Sequence, residues 1–585
     1  MPPMTTSDTI KRVDLPGFTL PLNFTPRAAF DTFELRGSDG EYVMVHYEAE
    51  GEGENLFPNA LNGNDLAQGG VSLRITSLRE IAMMQLMNQL TDKPDWDRKV
   101  FDDKIVSLWK AEVLADQERD ISQQMADWCI AELQWKAGIF RPQGAVSVYN
   151  GDVVKSDATV PESLKEALKA AVKTLEDIPA AYQDWHPESD NQVLDLVHPS
   201  LFPLVYGRTR ILHDSHTCLE GCIRRCGEGT TVPVPPEYQT KLGDRNVAFT
   251  QERIKPYSRK FQWLPCDIDV SGDQTRITSY INNLHPDKYR NLYGLIEQIL
   301  TQAIPLWNMT LTPLRDAGYM LRRIQCKDIV YDDVTGLVIQ PEPGEFRSPK
   351  QRTLKKESDR QDDGESGDPN DVFNDSDDED DYVYKEPVDL RRQYAARGLQ
   401  VIIKLANIQL TPEKPDYAGG SWHVEGQLNE HICATALYYY DSANITPSSL
   451  AFRHQCNDHE VTRMRYEQND HAWLEQIFGC KQYGPTVQVL GAVETKEGRL
   501  LTFPNVLQHR VQPFSLLDHT KPGYRRILAL FLVDPGTRIT ALLGMSHANG
   551  RTGELILWVR RSSWFRVFPG NCRITFIVTW IFRSR

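Results

Sequence analysis

The chain has 585 residues, of which 40% are hydrophobic and 25% charged, so most of it can bury a core and its length favours roughly two to four domains. Its net charge of −15 does not favour nucleic acid as a partner, because phosphate binding needs a clustered basic surface. The ten cysteines lack a dense, even spacing, and no segment reaches the ~18 apolar residues of a membrane span. We therefore expect an intracellular protein, cytoplasmic or nuclear, while its substrate and oligomeric state stay open.

The first 345 residues are predicted to be mainly helical with scattered strands. Within residues 78–90 the apolar side chains recur every three or four positions, which is typical of an amphipathic helix. We expect an N-terminal domain over residues 15–92 and a helical region over 93–345 that packs on the C-terminal domain. The predicted elements, in chain order, are a strand at 42–46 and helices at 78–90, 100–137, 161–182 and 289–301.

An acidic tract follows the helical region. Residues 350–385 are rich in Asp, Glu, Ser and Gly and contain almost no apolar side chain. Such a segment buries too little surface to offset its ordering entropy, so it is predicted to be a disordered linker or loop insertion. A regulatory role, with Ser376 as a phosphorylation site, is the sharper alternative.

Residues 388–540 have a different pattern, of short strand-like runs separated by turns rich in Pro, Gly, Asn and Asp. The runs are 401–410, 435–440, 486–490 and 526–533. Several short strands in succession favour a sandwich or jelly roll, so the whole chain is predicted to be an α+β protein. The tail, residues 541–585, is basic and aromatic. We interpret it as extra strands or as an atypical end, with nucleic-acid or membrane-surface binding as an alternative.

One short motif in the C-terminal domain has the pattern of a metal site. His423 and Glu425 are two residues apart and are preceded by Gly419-Gly420, so on a strand both side chains point to the same face. With a distal histidine they would form a two-histidine, one-carboxylate triad, which suits Fe(II) and leaves positions free for a cosubstrate. The same spacing occurs at His46/Glu48, His186/Glu188 and His285/Asp287, where the sequence context is less favourable.

A downstream segment supplies the missing groups. His509 ends an extended run that starts at Leu500, and the pair Arg525-Arg526 opens an apolar strand. An arginine at the mouth of such a strand can hold a carboxylate through two parallel hydrogen bonds. The distal carboxylate of 2-oxoglutarate is a ligand that would need this contact.

This order of motifs resembles the prolyl-hydroxylase-like group of 2-oxoglutarate oxygenases, and most of residues 15–538 resemble the fungal family known only as domain of unknown function 4246. The stretches that carry the family resemblance are Phe261-Gln-Trp-Leu-Pro265, Asn407-Ile-Gln-Leu-Thr-Pro-Glu-Lys-Pro415, Gly419-Gly-Ser-Trp-His-Val-Glu-Gly426 and Leu528-Ala-Leu-Phe-Leu-Val-Asp-Pro535.

The resemblance implies a C-terminal double-stranded β-helix, or jelly-roll barrel, that binds Fe(II) and 2-oxoglutarate. It implies His423, Glu425 and His509 as the metal ligands and Arg525, with Arg526 as the alternative, as the anchor of the cosubstrate. The carboxylate departs from the pattern of the prolyl-hydroxylase group, which has Asp where this chain has Glu425. Jumonji-type oxygenases resemble the glutamate variant.

Other side chains are candidates from their position alone. Lys404 and Asn407 lie on a predicted strand and are expected to line the cofactor pocket, and one hydroxyl of Tyr438, Tyr439 and Tyr440 is a further candidate. His431 and His454 lie near the motif in sequence, but we interpret them as ordinary buried polar residues. A set of cysteines and histidines at helical spacing is a weaker zinc candidate. Its members are Cys218, Cys222, Cys226, His213 and His216.

Three functions are compatible with these patterns. The first is a dioxygenase that couples the oxidative decarboxylation of 2-oxoglutarate to hydroxylation or demethylation of an unknown substrate. The second is an inactive scaffold on an oxygenase-like fold, since fold does not fix activity. The third is a cupin-like metal dioxygenase without 2-oxoglutarate, which would not need Arg525.

Overall fold

The fold is taken from a computed structural model. The residues that the structure describes are 15–24, 33–36, 42–45, 56–61, 73–212, 219, 221–222, 224–225, 227–240, 256–347, 385–457, 461–462, 464–541 and 545–546. The acidic tract over 351–384, including Ser376, and the tail beyond 546 lie outside them. So do His46, Glu48, His213, His216, Cys218 and Cys226.

Eight α-helices are found in the described part of the chain. They are α1 (Leu78–Leu90), α2 (Trp96–Lys99), α3 (Asp103–Ala115), α4 (Gln123–Gln143), α5 (Glu162–Glu176), α6 (Arg290–Arg315), α7 (Leu390–Tyr394) and α8 (Ala472–Phe478). Helix α1 has the bounds expected from its periodicity. The predicted helix over 100–137 is divided into α3 and α4, because Ser122 accepts a hydrogen bond from the Met125 amide and begins a new helix there.

The strands of the N-terminal half are short. They are β1 (Phe33–Arg36), β2 (Tyr42–Val45), β3 (Leu73–Arg74), β4 (Val146–Val148), β5 (Val153–Ser156), β6 (Asp184–Trp185), β7 (Val193–Val197), β8 (Leu204–Val205), β9 (Arg210–Ile211), β10 (Thr230–Thr231), β11 (Phe261–Gln262), β12 (Cys266–Asp269) and β13 (Arg276–Ile277).

The C-terminal half contains the longest strands, which confirm the expected strand-rich character of this part of the chain. They are β14 (Leu399–Leu410), β15 (Asp416–Tyr417), β16 (Ile432–Ala443), β17 (Ser449–Asn457), β18 (Val487–Glu494), β19 (Leu500–Pro504), β20 (Gln508–Val511), β21 (Phe514–Ser515), β22 (Gly523–Val533) and β23 (Met545–Ser546).

One large sheet contains strands from both halves of the chain. Its path is β13-β12-β14-β22-β16-β19-β5-β4, and β7 pairs with β14 beside this path. Strands β14 and β22 are antiparallel over their whole length, from Val401 opposite Leu532 to Leu410 opposite Gly523. Strands from the region 93–345 therefore pair directly with strands from 388–540. The division into separate domains at these positions stays a prediction.

A second, smaller sheet faces the first across an apolar layer. It contains β18-β17-β20, with β3 pairing with β17. Buried side chains of both sheets meet in one cluster, among them Phe452 and Leu490 from the small sheet and Phe503 and Phe531 from the large one. The fold is thus α+β with two facing sheets. The hydrogen-bonded strands that are described form no closed barrel, and the double-stranded β-helix remains a prediction.

The two faces of the large sheet have different surroundings, which decides where each side chain of β14 and β22 points. Val401, Ile403 and Leu405 of β14 pack in the cluster that contains the buried face of α6. Ile402 and Phe531 belong to the layer between the sheets. Because side chains alternate along a strand, even-numbered positions of β14 and odd-numbered positions of β22 point between the sheets.

Among the described helices, none combines the length and the apolar character that are needed to cross a bilayer.

Candidate metal centre

Tight turns and a short backbone pairing bring the predicted ligands together. Gly419 has φ 88°, and a Cβ atom there would lie 2.8 Å from the carbonyl oxygen of Val511, so the close approach requires glycine. The amide of Gly420 donates to the same oxygen at 2.9 Å. Three residues after Gly420, His423 exchanges backbone hydrogen bonds of 3.1 and 2.9 Å with His509. The segment after the turn is therefore held against β20.

The three predicted ligands converge in space. Nε2 of His509 lies 3.4 Å from Oε1 of Glu425, and Nε2 of His423 lies 3.9 Å from the same oxygen. All three donor atoms are within 4.8 Å of one another. Donor atoms bound to one ion at ~2.1 Å are separated by roughly 3–4 Å, so the side chains are already near the positions that a metal requires.

Hydrogen bonds around the site orient two of the ligands. Nδ1 of His423 lies 2.8 Å from the carbonyl oxygen of Ser421, which places the ring proton on Nδ1 and leaves the lone pair of Nε2 free. The side chain of Asn505 accepts from the amide of Glu425 and donates to its carbonyl, both at 2.9 Å. The backbone of Glu425 is thereby fixed by a residue 80 positions away.

The protonation states also suit a cation. Burial, together with the neighbouring His509, lowers the pKa of His423 to about 4, so its imidazole is neutral at pH 7. Burial alone would raise the pKa of Glu425, but its hydrogen bond with His509 and its proximity to His423 lower it to about 2. A neutral imidazole and an ionised carboxylate are the forms that bind metal ions.

Arg525 is buried in the layer between the sheets without an acidic partner among the described residues. The side chain is fully buried, and Nη1 donates to Ser448 at 2.5 Å and to Thr495 at 2.8 Å. Nε and Nη2 have no hydrogen-bond partner in the described part of the chain. Burial lowers the pKa of the guanidinium, which nevertheless stays charged. A buried charge with two free donors is costly unless an anion reaches it.

Arg526 points the other way. Its guanidinium forms ion pairs with Asp441 at 2.5 Å and Glu176 at 2.6 Å. Asn407, opposite Arg526 on β14, donates to the same Glu176 at 2.6 Å. Both side chains lie on the helix-facing side of the sheet and are occupied by these carboxylates, on the opposite face from Arg525. Asn407 was expected beside Lys404, but a spacing of three puts the two on opposite faces.

Lys404 occupies an even-numbered position of β14 and therefore faces the layer between the sheets. After burial and the neighbouring ligands, its positive charge also lowers the pKa of Glu425 and of His423. No hydrogen bond or ion pair of this group is found within the described residues. Tyr439 is the tyrosine that faces the same layer, with its ring 5.5 Å from the Arg525 guanidinium, whereas Tyr438 and Tyr440 pack toward the helices.

The remaining histidine and cysteine candidates lie apart from this centre. His431 is buried near Tyr257, and His454 is buried with Nε2 3.4 Å from Gln488. His285 accepts a hydrogen bond from the amide of Asp287 in a turn. Cys222 donates to the carbonyl of Leu219.

Sequence reasoning missed several polar groups of this region. Ser448 and Thr495, which contact Arg525, and Asn505, which holds Glu425, carry no local motif because their role depends on distant strand pairing. A second cluster was also missed: His186, Asp195 and His198 have donor atoms within 4.8 Å of one another. His186 was weighed with Glu188, whereas the structure pairs it with Asp195 at 2.8 Å. The sequence signal that could have revealed this cluster is the alternating strand pattern of residues 193–197, which lies between His186 and His198.

Comparison with protein-family models identifies the family of the chain. Residues 123–543 match the family described as protein of unknown function (DUF4246), and residues 15–112 match its N-terminal domain. The chain belongs to the DUF4246 family. The expected resemblance to this family is thus confirmed. No curated protein matches the chain.

The solved structures that are similar to parts of this chain include the following three. IDO from Bacillus thuringiensis is 12% identical, with 24% of this chain and 48% of that one covered and a TM-score of 0.15. The Fe(II)/(alpha)ketoglutarate-dependent dioxygenase TqaL is 18% identical, with 28% and 52% covered and a TM-score of 0.16. EvdO2 from Micromonospora carbonacea var. aurantiaca, complexed with 2-oxoglutarate, is 10% identical, with 26% and 57% covered and a TM-score of 0.12.

The chain spans about half the length of each of these solved structures. We therefore base the function on the side chains of the site.

Proposed function

We propose that this member of the DUF4246 family is an Fe(II) and 2-oxoglutarate-dependent oxygenase. The observation that supports the proposal most strongly is the buried guanidinium of Arg525, whose Nε and Nη2 have no partner among the described residues. Arg525 packs on Tyr439 and the ligand His509 packs on Phe503, and both aromatic rings belong to the layer between the sheets. A dicarboxylic cosubstrate satisfies both features at once, because one end can chelate a metal while the distal carboxylate accepts two hydrogen bonds from the arginine.

The donor set fits Fe(II). His423, Glu425 and His509 would hold the ion through two imidazole nitrogens and one carboxylate oxygen, the mixed set typical of non-haem iron oxygenases. The contact of His423 with Ser421 supports this role, since it directs the free lone pair toward Glu425. When bound, iron and 2-oxoglutarate supply the oxidising chemistry for hydroxylation or demethylation of a second substrate.

The protein's own residues position and shield the reactants. Arg525 binds the distal carboxylate of the cosubstrate, and Ser448 and Thr495 orient the guanidinium through Nη1. The aromatic rings of Phe514 and Tyr439, 4.7 and 5.5 Å from the guanidinium, exclude water from this contact. A low local dielectric strengthens the ion pair that forms there.

The proposal is tested by metal and cosubstrate binding to the full chain. Anaerobic dialysis should give one Fe(II) per chain, and His423→Ala should lose it. Labelled 2-oxoglutarate should bind only to the metal-loaded wild type, and weakly to Arg525→Ala. Iron binding without 2-oxoglutarate binding would favour the cupin-like alternative, and failure to bind iron would favour the scaffold.

A further inference from the structure

A second polar cluster lies at the edge of the large sheet, on the β6–β7 hairpin that pairs with β14. His186 follows β6, Asp195 lies in β7 and His198 follows β7, so all three belong to one hairpin. Strand β7 pairs with β14, where Asp195 is opposite Ala406, two residues from Lys404. The charge of Lys404 lowers the pKa of both Asp195 and His198, as it does for Glu425. The register sets Val197 opposite Leu405, so His198, the next residue, follows at the level of Lys404.

The hydrogen bonds of the cluster determine which of its groups are free. Oδ2 of Asp195 is taken by Nδ1 of His186 at 2.8 Å. The amide of Ser200 donates to Nδ1 of His198 at 3.1 Å, which places the proton of a neutral His198 on Nε2. His198 is neutral at pH 7, because burial and the charge of Lys404 lower its pKa to about 3.

Two donors of this region have no partner among the described residues: the ammonium group of Lys404 and the Nε2–H of His198. His198 is only 6% exposed, and the edge of the Trp263 ring packs on it with the ring centroids 6.1 Å apart. Trp263 in turn stacks on Phe531 of β22 and donates to Ser200 at 2.9 Å, which fixes both aromatic rings. A cation and a buried N–H donor with an aromatic wall form an environment for a negatively charged group.

A metal ion fits the cluster less well, although its donor atoms are close enough. Binding through Nε2 of His198 would require that nitrogen to lose its proton, and the amide of Ser200 already occupies the lone pair of Nδ1. The positive charge of Lys404 would also repel a second divalent ion.

We propose that Lys404 and His198 bind an anionic group, a carboxylate or a phosphate, of the second substrate next to the metal centre. Asp195 acts as a positioning residue, since it holds His186 and balances the charge of Lys404. This inference rests on the proposed function, and it assigns Lys404 to the second substrate rather than to 2-oxoglutarate, whose distal carboxylate is left to Arg525.

The test uses matched charged and neutral probes on the full chain loaded with Mn(II) and saturating 2-oxoglutarate. Isothermal titration compares benzoate with benzamide and phenyl phosphate with phenol. We expect one anion of the two pairs to bind at least tenfold more tightly than its neutral partner. Lys404→Gln should abolish this preference and Lys404→Arg should retain it. Lys414→Gln is the matched control, because Lys414 is partly exposed and pairs with Asp190 at 2.7 Å.

Each other outcome overturns the inference. Equal binding of charged and neutral probes, no binding of either anion, or an anion preference that survives Lys404→Gln would remove Lys404 as the anion site. A second metal ion per chain that is lost in Asp195→Asn would assign the cluster to a cation. If saturating 2-oxoglutarate displaces the anion from the metal-loaded protein, Lys404 contacts the cosubstrate. Titrations without metal and 2-oxoglutarate separate these results from a failure of the proposed function, since anion binding at Lys404 does not require either.

Discussion

At the scale of single residues, buried charges identify the site more clearly than the histidines do. Arg525 and Arg526 are adjacent. Within the part of the chain that the structure describes, Arg525 has no acidic partner in the layer between the sheets, whereas Arg526 pairs with two carboxylates on the opposite face. A protein bears the cost of a buried, incompletely paired guanidinium when a ligand satisfies it. Substitution of Arg525 therefore tests the cosubstrate contact, and the same substitution of Arg526 is the control.

Arg525→Ala should raise the KM for 2-oxoglutarate by tenfold or more, because each hydrogen bond to a charged group contributes about 1.5–3 kcal/mol. Iron affinity measured without cosubstrate should stay near that of the wild type. The matched variant Arg526→Ala should leave this KM unchanged and lower the midpoint of thermal unfolding slightly. The measurement is a 2-oxoglutarate titration of turnover by the wild type and both variants. A raised KM in Arg526→Ala alone would assign the cosubstrate anchor to Arg526 instead of Arg525.

A buried carboxylate outside the set of metal ligands, Asp152, predicts how stability depends on pH. Asp152 is fully buried, and burial raises its pKa to about 7 from an ordinary value of 3.8. Because the pKa of Asp152 is raised in the folded state, its contribution to stability is fully present below pH 4. This contribution is lost as the pH rises through 7. The loss is about 4 kcal/mol for a shift of about three pKa units.

Asp152→Asn should therefore flatten the pH profile of the free energy of unfolding between pH 4.5 and 8. Urea denaturation of both proteins at these two pH values measures the effect. If the difference between the two pH values is the same in the variant and in the wild type, the charge of Asp152 is not the cause.

At the scale of elements, the turn at Gly419 and the pairing of His423 with His509 bring the ligands together. The sequence predicted much of this: the i, i+2 pair, the glycine turn, helix α1 and the strands β14 and β22 all follow from local periodicity and turn chemistry. It did not predict the partners of Arg525 or the support of Glu425 by Asn505. These contacts join residues 30 to 80 positions apart, and only the strand register determines them.

Gly419→Ala should weaken iron binding by about tenfold, since a side chain at φ 88° costs about 1–2 kcal/mol and its Cβ would press on the carbonyl of Val511. Gly420→Ala is the control, because the nearest atom to its added Cβ is 3.7 Å away. Fe(II) titration of both variants measures the difference. Equal affinities would show that the turn does not set the position of His423.

At the scale of the whole molecule, the C-terminal strands depend on the region before the acidic tract. Strand β14 is flanked by β12 and β7, and its helix-facing side is covered by α6. This dependence was not visible in the sequence, where the change of composition near residue 345 favoured a domain boundary. Short strands such as β7 and β12 have too few residues for a clear alternating pattern.

A fragment of residues 388–541 expressed alone should therefore not fold cooperatively, because it would expose one edge of β14 and the apolar face that α6 covers. Thermal unfolding followed by circular dichroism, beside the full chain, measures this. A fragment with a sharp transition and wild-type iron affinity would restore the predicted boundary.

The most direct test of the central claim is succinate formation from 2-oxoglutarate by the purified full chain under air. We predict that succinate accumulates only when Fe(II) is supplied and that the His509→Ala variant forms none. The Arg525→Ala variant should form little succinate at low 2-oxoglutarate and recover part of the activity at high 2-oxoglutarate. A wild-type protein that binds Fe(II) through His423, Glu425 and His509 but forms no succinate at any 2-oxoglutarate concentration would contradict the account.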